Sequence, residues 1–126
     1  PIGRQYAHFV YVPLDIANMQ KAADYLVGEH DFKSFCAVGA QVLSTVRTIY
    51  EADFRKEGDY LIFRISGNGF LFNMVRIIVG TLLEIGRGNM EPEEINRILE
   101  ALDRQKAGPT APARGLLVVG YEFMEK

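Results

Sequence analysis

The sequence predicts an α+β domain in which helices pack on one face of an antiparallel β-sheet. Two β-prone runs alternate in polarity around Lys56-Glu57-Gly58-Asp59, as a hairpin does. Two other stretches repeat their apolar residues at helical spacing, and no internal repeat or low-complexity stretch occurs. With 126 residues, 48% of them hydrophobic, the chain has enough apolar side chains to bury one core.

In chain order the pattern reads strand, helix, loop, two strands, two helices, strand. Tyr6, Phe9 and Tyr11 belong to an aromatic and valine-rich strand ending at Pro13, which places it near an edge or a domain boundary. Asp15 offers a cap to a helix with Ile16, Met19, Ala23 and Leu26 on one face, closed by Gly28. The hairpin spans Arg47 to Ser66. A long helix is expected from Asn68 to Gly88 and a second from Pro92 to about Asp103, where Glu93 and Glu94 suit the positive end of the helix dipole. The run from Gly115 to Phe123 is apolar throughout its middle, which predicts a central or well-covered strand.

Composition excludes several classes of function. Fourteen basic residues against sixteen acidic ones give a net charge of -2, without the basic excess that marks most nucleic-acid binders. One cysteine, Cys36, makes no internal disulfide and fits a reducing, cytoplasmic setting. The longest apolar run, between Arg76 and Glu84, is far short of the roughly 20 residues a membrane span needs. The chain begins at Pro1 and moves straight into a patterned strand, as a piece of a longer protein would. No Gly-rich phosphate loop, GxSxG elbow or HExxH pair occurs, and His8 and His30 are the only histidines, so no metal site is expected.

The segment NGFLFNMVRIIVGTLLEIGRG is the most informative. Phe70, Met74, Ile77, Ile78, Leu82 and Ile85 define a wide core face. Asn73, Arg76, Gly80, Glu84 and Arg87 recur every three or four residues as a narrow polar stripe. An ordinary solvent edge explains such a stripe, yet a guanidinium flanked by Met74, Val75, Ile77 and Ile78 must either reach outward or be paired. Glu84 lies about 12 Å along the axis, so an acidic partner for Arg76 has to come from elsewhere. Gly80 removes a side chain one turn on, opening the stripe to another backbone or to a substrate. Groove and solvent edge both stand.

Beyond the second helix, DRQKAGPTAPARGL makes an irregular loop, forced by Gly108, Pro109, Pro112 and Gly115, with Arg104, Lys106 and Arg114 as the densest basic patch. It is either a solvated connection or a phosphate contact. In GEHDFKSF, residues 28–35, His30 and Asp31 lack catalytic spacing, and Phe32 with Phe35 read as core anchors.

These three blocks, GEHDFKSF, GNGFLFNMVRIIVGTLLEIGRG and DRQKAGPTAPARGL, resemble the C-terminal motifs of tRNA pseudouridine synthases of the TruA family, in the same order and at similar separations. The likeness spans nearly the whole chain. One departure is Ile77, where the family commonly has asparagine. The resemblance implies that residues 1–126 form the C-terminal domain of an isomerase, half of a pseudouridine synthase fold. Such an enzyme detaches uracil in the anticodon stem-loop of tRNA, rotates it and reattaches it through carbon, without cofactor or metal. The family's catalytic aspartate sits in an Arg-Thr-Asp-Ala-Gly-like motif on an N-terminal domain. No aspartate here follows an Arg-Thr pair, so this chain alone is expected to be inactive.

The resemblance also implies roles for particular residues. Arg76 would pair with the absent aspartate and Asn73 would orient it, while Phe70, Leu71 and Gly80 would shape the substrate pocket. Arg104 and Lys106 would meet RNA phosphates, Gly108, Pro109 and Thr110 would border the cleft, and Arg114 would be a secondary RNA contact. The implied partners are tRNA, the N-terminal domain of the same protein and a second copy in a homodimer. A nonenzymatic RNA-binding or dimerisation module is the alternative. A small-molecule enzyme has no catalytic constellation to support it.

Overall fold

The register of the central hairpin explains how a charged strand and an apolar core coexist. The computed structural model describes residues 2–10, 14–37, 42–58, 60–111 and 117–124. Strand β3 (Val46–Glu57) pairs antiparallel with β4 (Tyr60–Gly67) around the expected turn, of which Asp59 lies outside the described residues. Ile49 faces Gly67, but the next pair is Glu51 with Ser66, so Tyr50 is an extra residue in β3. This bulge shifts the parity of everything after it. Ala52 and Phe54 then share a face with Ile65 and Phe63, while Glu51 and Asp53 turn to the other side with Arg64. Without the insertion, two carboxylates would enter the core. Arg64 reaches Asp53 at 2.7 Å and Glu51 at 3.8 Å on that outer face.

Strands β1 (Ile2–Val10), β2 (Gly28–Asp31) and β5 (Leu117–Met124) complete a five-stranded sheet ordered β2-β3-β4-β1-β5, and its neighbouring strands run antiparallel. The last strand, read as central or well covered, is not central, and the first, read as near an edge or a domain boundary, is its neighbour. β1 is interior, hydrogen-bonded to β4 and β5, and β5 is the terminal strand among those described. A continuous apolar run is a signal about the faces of a strand and carries no information on whether both its edges are paired. Pro13 lies outside the described residues, beyond the last ladder pair of Val10 with Tyr60. The sequence reading also missed β2. The first helix, α1 (Ile16–Asp24), stops before Gly28, whose φ of +110° opens β2 instead of closing the helix.

Helices α1, α2 (Met74–Gly86) and α3 (Glu94–Ala101) cover one face of the sheet. Met19, Leu26, Phe32, Phe35, Leu61, Phe63, Ile65, Ile77, Ile78 and Leu82 are fully buried between them. Asp15 caps α1 as expected, accepting from the Asn18 N–H at 3.0 Å. Its own N–H donates to the Gly86 carbonyl at 2.9 Å, tying α1 to the end of α2. From α1, the Gln20 carboxamide donates to the Ala52 carbonyl at 3.1 Å and accepts from the Phe54 N–H at 2.9 Å, covering part of the outer edge of β3.

Both long helices are shorter than their periodicity predicts. Asn68 is fixed to β3, its N–H donating to the Thr48 carbonyl at 3.0 Å and its side-chain oxygen accepting from the Thr48 N–H at 2.9 Å. The chain is still leaving the sheet at residues 67–69, and α2 begins only after Asn73, whose φ of 59° is left-handed. At the other end, Leu102 takes φ 51° and ends α3, and Asp103 caps a separate 3-10 turn, Arg104–Lys106, by accepting from the Gln105 N–H at 3.0 Å. No described helix is long and apolar enough to cross a membrane.

Candidate functional site

Residues 104–111 are docked on one side of α2. The Ala111 N–H donates to the Arg76 carbonyl at 3.0 Å, and the Arg76 Nε donates back to the Ala111 carbonyl at 2.9 Å. This reciprocal pair pins the loop to the helix and fixes the stem of the arginine. One turn on, a Cβ on Gly80 would coincide with the Pro109 carbonyl oxygen and come within 2.9 Å of its carbon and 3.0 Å of the Ala111 nitrogen. The Gly108 N–H donates to Thr81 Oγ1 at 2.9 Å, and that hydroxyl donates to the Ile77 carbonyl at 2.9 Å. Arg104 braces the loop from within, one terminal nitrogen donating to the Gly108 carbonyl at 2.9 Å and the other to Thr110 Oγ1 at 3.1 Å.

The partly exposed Arg76 forms no ion pair among the described residues, and neither of its terminal nitrogens has a hydrogen-bond partner there. A guanidinium held through Nε keeps two terminal donors in one plane, the geometry that suits a carboxylate or a phosphate oxygen. The far end of the same stripe is different. Glu84 and Arg87 meet at 2.9 Å in solvent, an ordinary i,i+3 surface pair.

The structure places the remaining expected site residues as follows. Gly80 is buried, and the backbone of Pro109 fills its open side, the close approach of another backbone that a missing side chain allows. Asn73 precedes the helix in a left-handed conformation and makes no hydrogen bond to Arg76 among the described residues. Leu71 is 4% exposed and Phe70 packs against the core. Arg104, expected on an irregular loop, stands in a 3-10 turn with its terminal donors engaged, because a tight loop presents carbonyls that need donors. Lys106 is exposed and faces α3, beside Glu94, Arg97 and Ala101. Arg114 lies outside the described residues.

Sequence reasoning missed Ala111, Thr81 and Phe72. Ala111 acts through its backbone and leaves no side-chain signal. Thr81 was visible as a lone hydroxyl in an apolar helix face. Phe72 is 67% exposed although Leu71 and Met74 beside it are buried, which forgoes about 2 kcal/mol of burial. His30 and Asp31 hold local structure, as expected: the imidazole sits 3.1 Å from the Val27 carbonyl, and Asp31 accepts from the Thr45 hydroxyl and the Lys33 N–H.

Comparison with known proteins adds an independent line. A family model described as tRNA pseudouridine synthase matches residues 22–123. The chain is 57% identical over 114 residues to tRNA pseudouridine synthase A of Halalkalibacterium halodurans, covering 90% of this chain and 43% of that protein. It is 56% identical over 112 residues to the Brevibacillus brevis protein of the same name, and 51% identical over 113 residues to that of Bacillus subtilis. These matches cover 89% and 90% of this chain and 46% of each relative, so the chain spans a little under half the length of the curated relatives it matches. By its sequence, and with an α+β fold, the chain belongs to the tRNA pseudouridine synthase family.

Proposed function

We propose that this chain is the C-terminal half of an enzyme that isomerises uridine to pseudouridine in the anticodon stem-loop of tRNA. Its part is the cleft wall that faces the catalytic aspartate of the N-terminal half. The observation that carries this reading is Arg76, anchored through Nε to Ala111 with both terminal nitrogens unpartnered among the described residues. In the intact protein they hold the aspartate ionised as nucleophile or base, because a guanidinium beside a carboxylate favours its charged form. Asn73, Phe70 and Leu71 border the uridine turned out of its stack. Lys106 and Arg114 meet phosphates, and Arg104 adds its charge from within the loop it braces, with Gly108 and Thr110 at the cleft margin. The enzyme works without cofactor or metal, as a cytoplasmic homodimer.

The test is tritium release from tRNA labelled at uracil C5, measured with the intact protein. Arg76→Ala lowers kcat at least about 100-fold, the range of a lost proton-transfer or charge-positioning group, and leaves tRNA affinity nearly unchanged. Arg76→Lys recovers only part of the rate, because an ammonium cannot fork onto a carboxylate. A near-wild-type rate in Arg76→Ala removes the assigned role.

A further inference from the structure

Between the start of β3 and the start of α2, two side chains stand outside the roles given above. Arg47 is partly buried, and a single terminal nitrogen donates to both the Ser44 carbonyl, at 2.8 Å, and the Val46 carbonyl, at 2.7 Å. Its Nε and second terminal nitrogen have no hydrogen-bond partner among the described residues. The stem rests against Gly69, whose missing Cβ would lie 3.5 Å from that Nε. Three residues further on, Phe72 is held by its backbone, the carbonyl accepting from the Ala37 N–H at 3.2 Å, and its ring projects into solvent. A three-residue path separates Gly69 and Phe72 by at most about 11 Å. The turn leads directly to Arg76.

We infer that Arg47 and Phe72 form a second nucleotide contact at the entrance to α2, Arg47 binding a phosphate and Phe72 stacking on an unpaired base. This rests on the RNA-modifying reading above and deepens it. An exposed ring accepts any base face, and a half-satisfied planar guanidinium suits a phosphate oxygen. Val42, Leu43 and Val46 are also exposed nearby, which raises a protein surface as the competing occupant. Closing an apolar protein interface over Arg47 would strand two of its donors in a dry environment, whereas an RNA backbone satisfies them. The pair also shows how a chain of net charge -2 can hold RNA, through a few placed groups in place of a broad positive field.

The experiment measures binding of an unmodified tRNA transcript to the intact protein across a range of potassium chloride, with the elution volume of the protein alone as a second readout. Phe72→Leu raises Kd about tenfold and Phe72→Tyr restores it, since stacking needs the ring. Arg47→Gln flattens the slope of log K against log salt by nearly one and Arg47→Lys keeps it, since the slope counts phosphate contacts. Wild-type Kd in Phe72→Leu, an unchanged slope in Arg47→Gln, or a changed elution volume in either variant overturns the proposal. If the wild type binds tRNA and releases no tritium, the isomerase reading fails and the contact is judged on Kd alone. If the wild type binds no tRNA, both fall.

Discussion

The two ends of the α2 stripe have similar sequence character and opposite fates. At the C-terminal end, Glu84 and Arg87 satisfy each other in water. At the N-terminal end, Arg76 is fixed by the Ala111 backbone and keeps its terminal donors unpartnered among the described residues, while Gly80 lies beneath Pro109. The solvent-edge reading therefore holds for Glu84 and Arg87, whereas Gly80 is covered by distant chain and Arg76 is tied to that chain through Nε. Periodicity reports which side of a helix a residue occupies. What covers that side depends on chain distant in sequence, here residues 104–111.

This contrast can be broken in graded steps below the Arg76 exchange. Gly80→Ala is the strongest for stability. On a free helix surface the change gains about 1 kcal/mol of propensity, but here the methyl group meets a backbone carbonyl and the expected loss is about 3 kcal/mol. Urea unfolding of the intact protein checks the sign, and a stabilised variant would mean that the loop does not dock on the helix. Thr81→Val is smaller. It deprives the Gly108 N–H of its acceptor and should cost about 1 to 2 kcal/mol in the same titration, whereas no change would place that N–H in water. Smallest is Glu84→Gln, which removes an exposed pair and should shift stability by less than about 0.5 kcal/mol. A larger shift there would erase the distinction between the two ends.

Much of the architecture was legible because its signals are local. The hairpin announced itself by its turn and α2 by its wide apolar face. Strand β2, four residues without alternation, had no such signal. The bulge at Tyr50 left a trace in the buried positions 49 and 52, three residues apart, a spacing that simple period-two reading discards. Helix ends were overextended because a periodic pattern does not record where a side chain such as Asn68 ties the backbone to a strand. At the site, Arg76 was legible as an anomaly, a charge set in an apolar helix. Its anchor was not, because Ala111 contributes only an amide and a carbonyl, which every residue but proline possesses. The space above Gly80 was readable as space, and the structure supplies its occupant.

Gln20 gives the sheet a protection that one atom could undo. Its carboxamide stands where a neighbouring peptide would, offering a donor to Ala52 and an acceptor to Phe54. Deamidation to glutamate would set an anionic oxygen against the Ala52 carbonyl and release that length of β3, leaving unpaired backbone able to recruit foreign chains into aggregates.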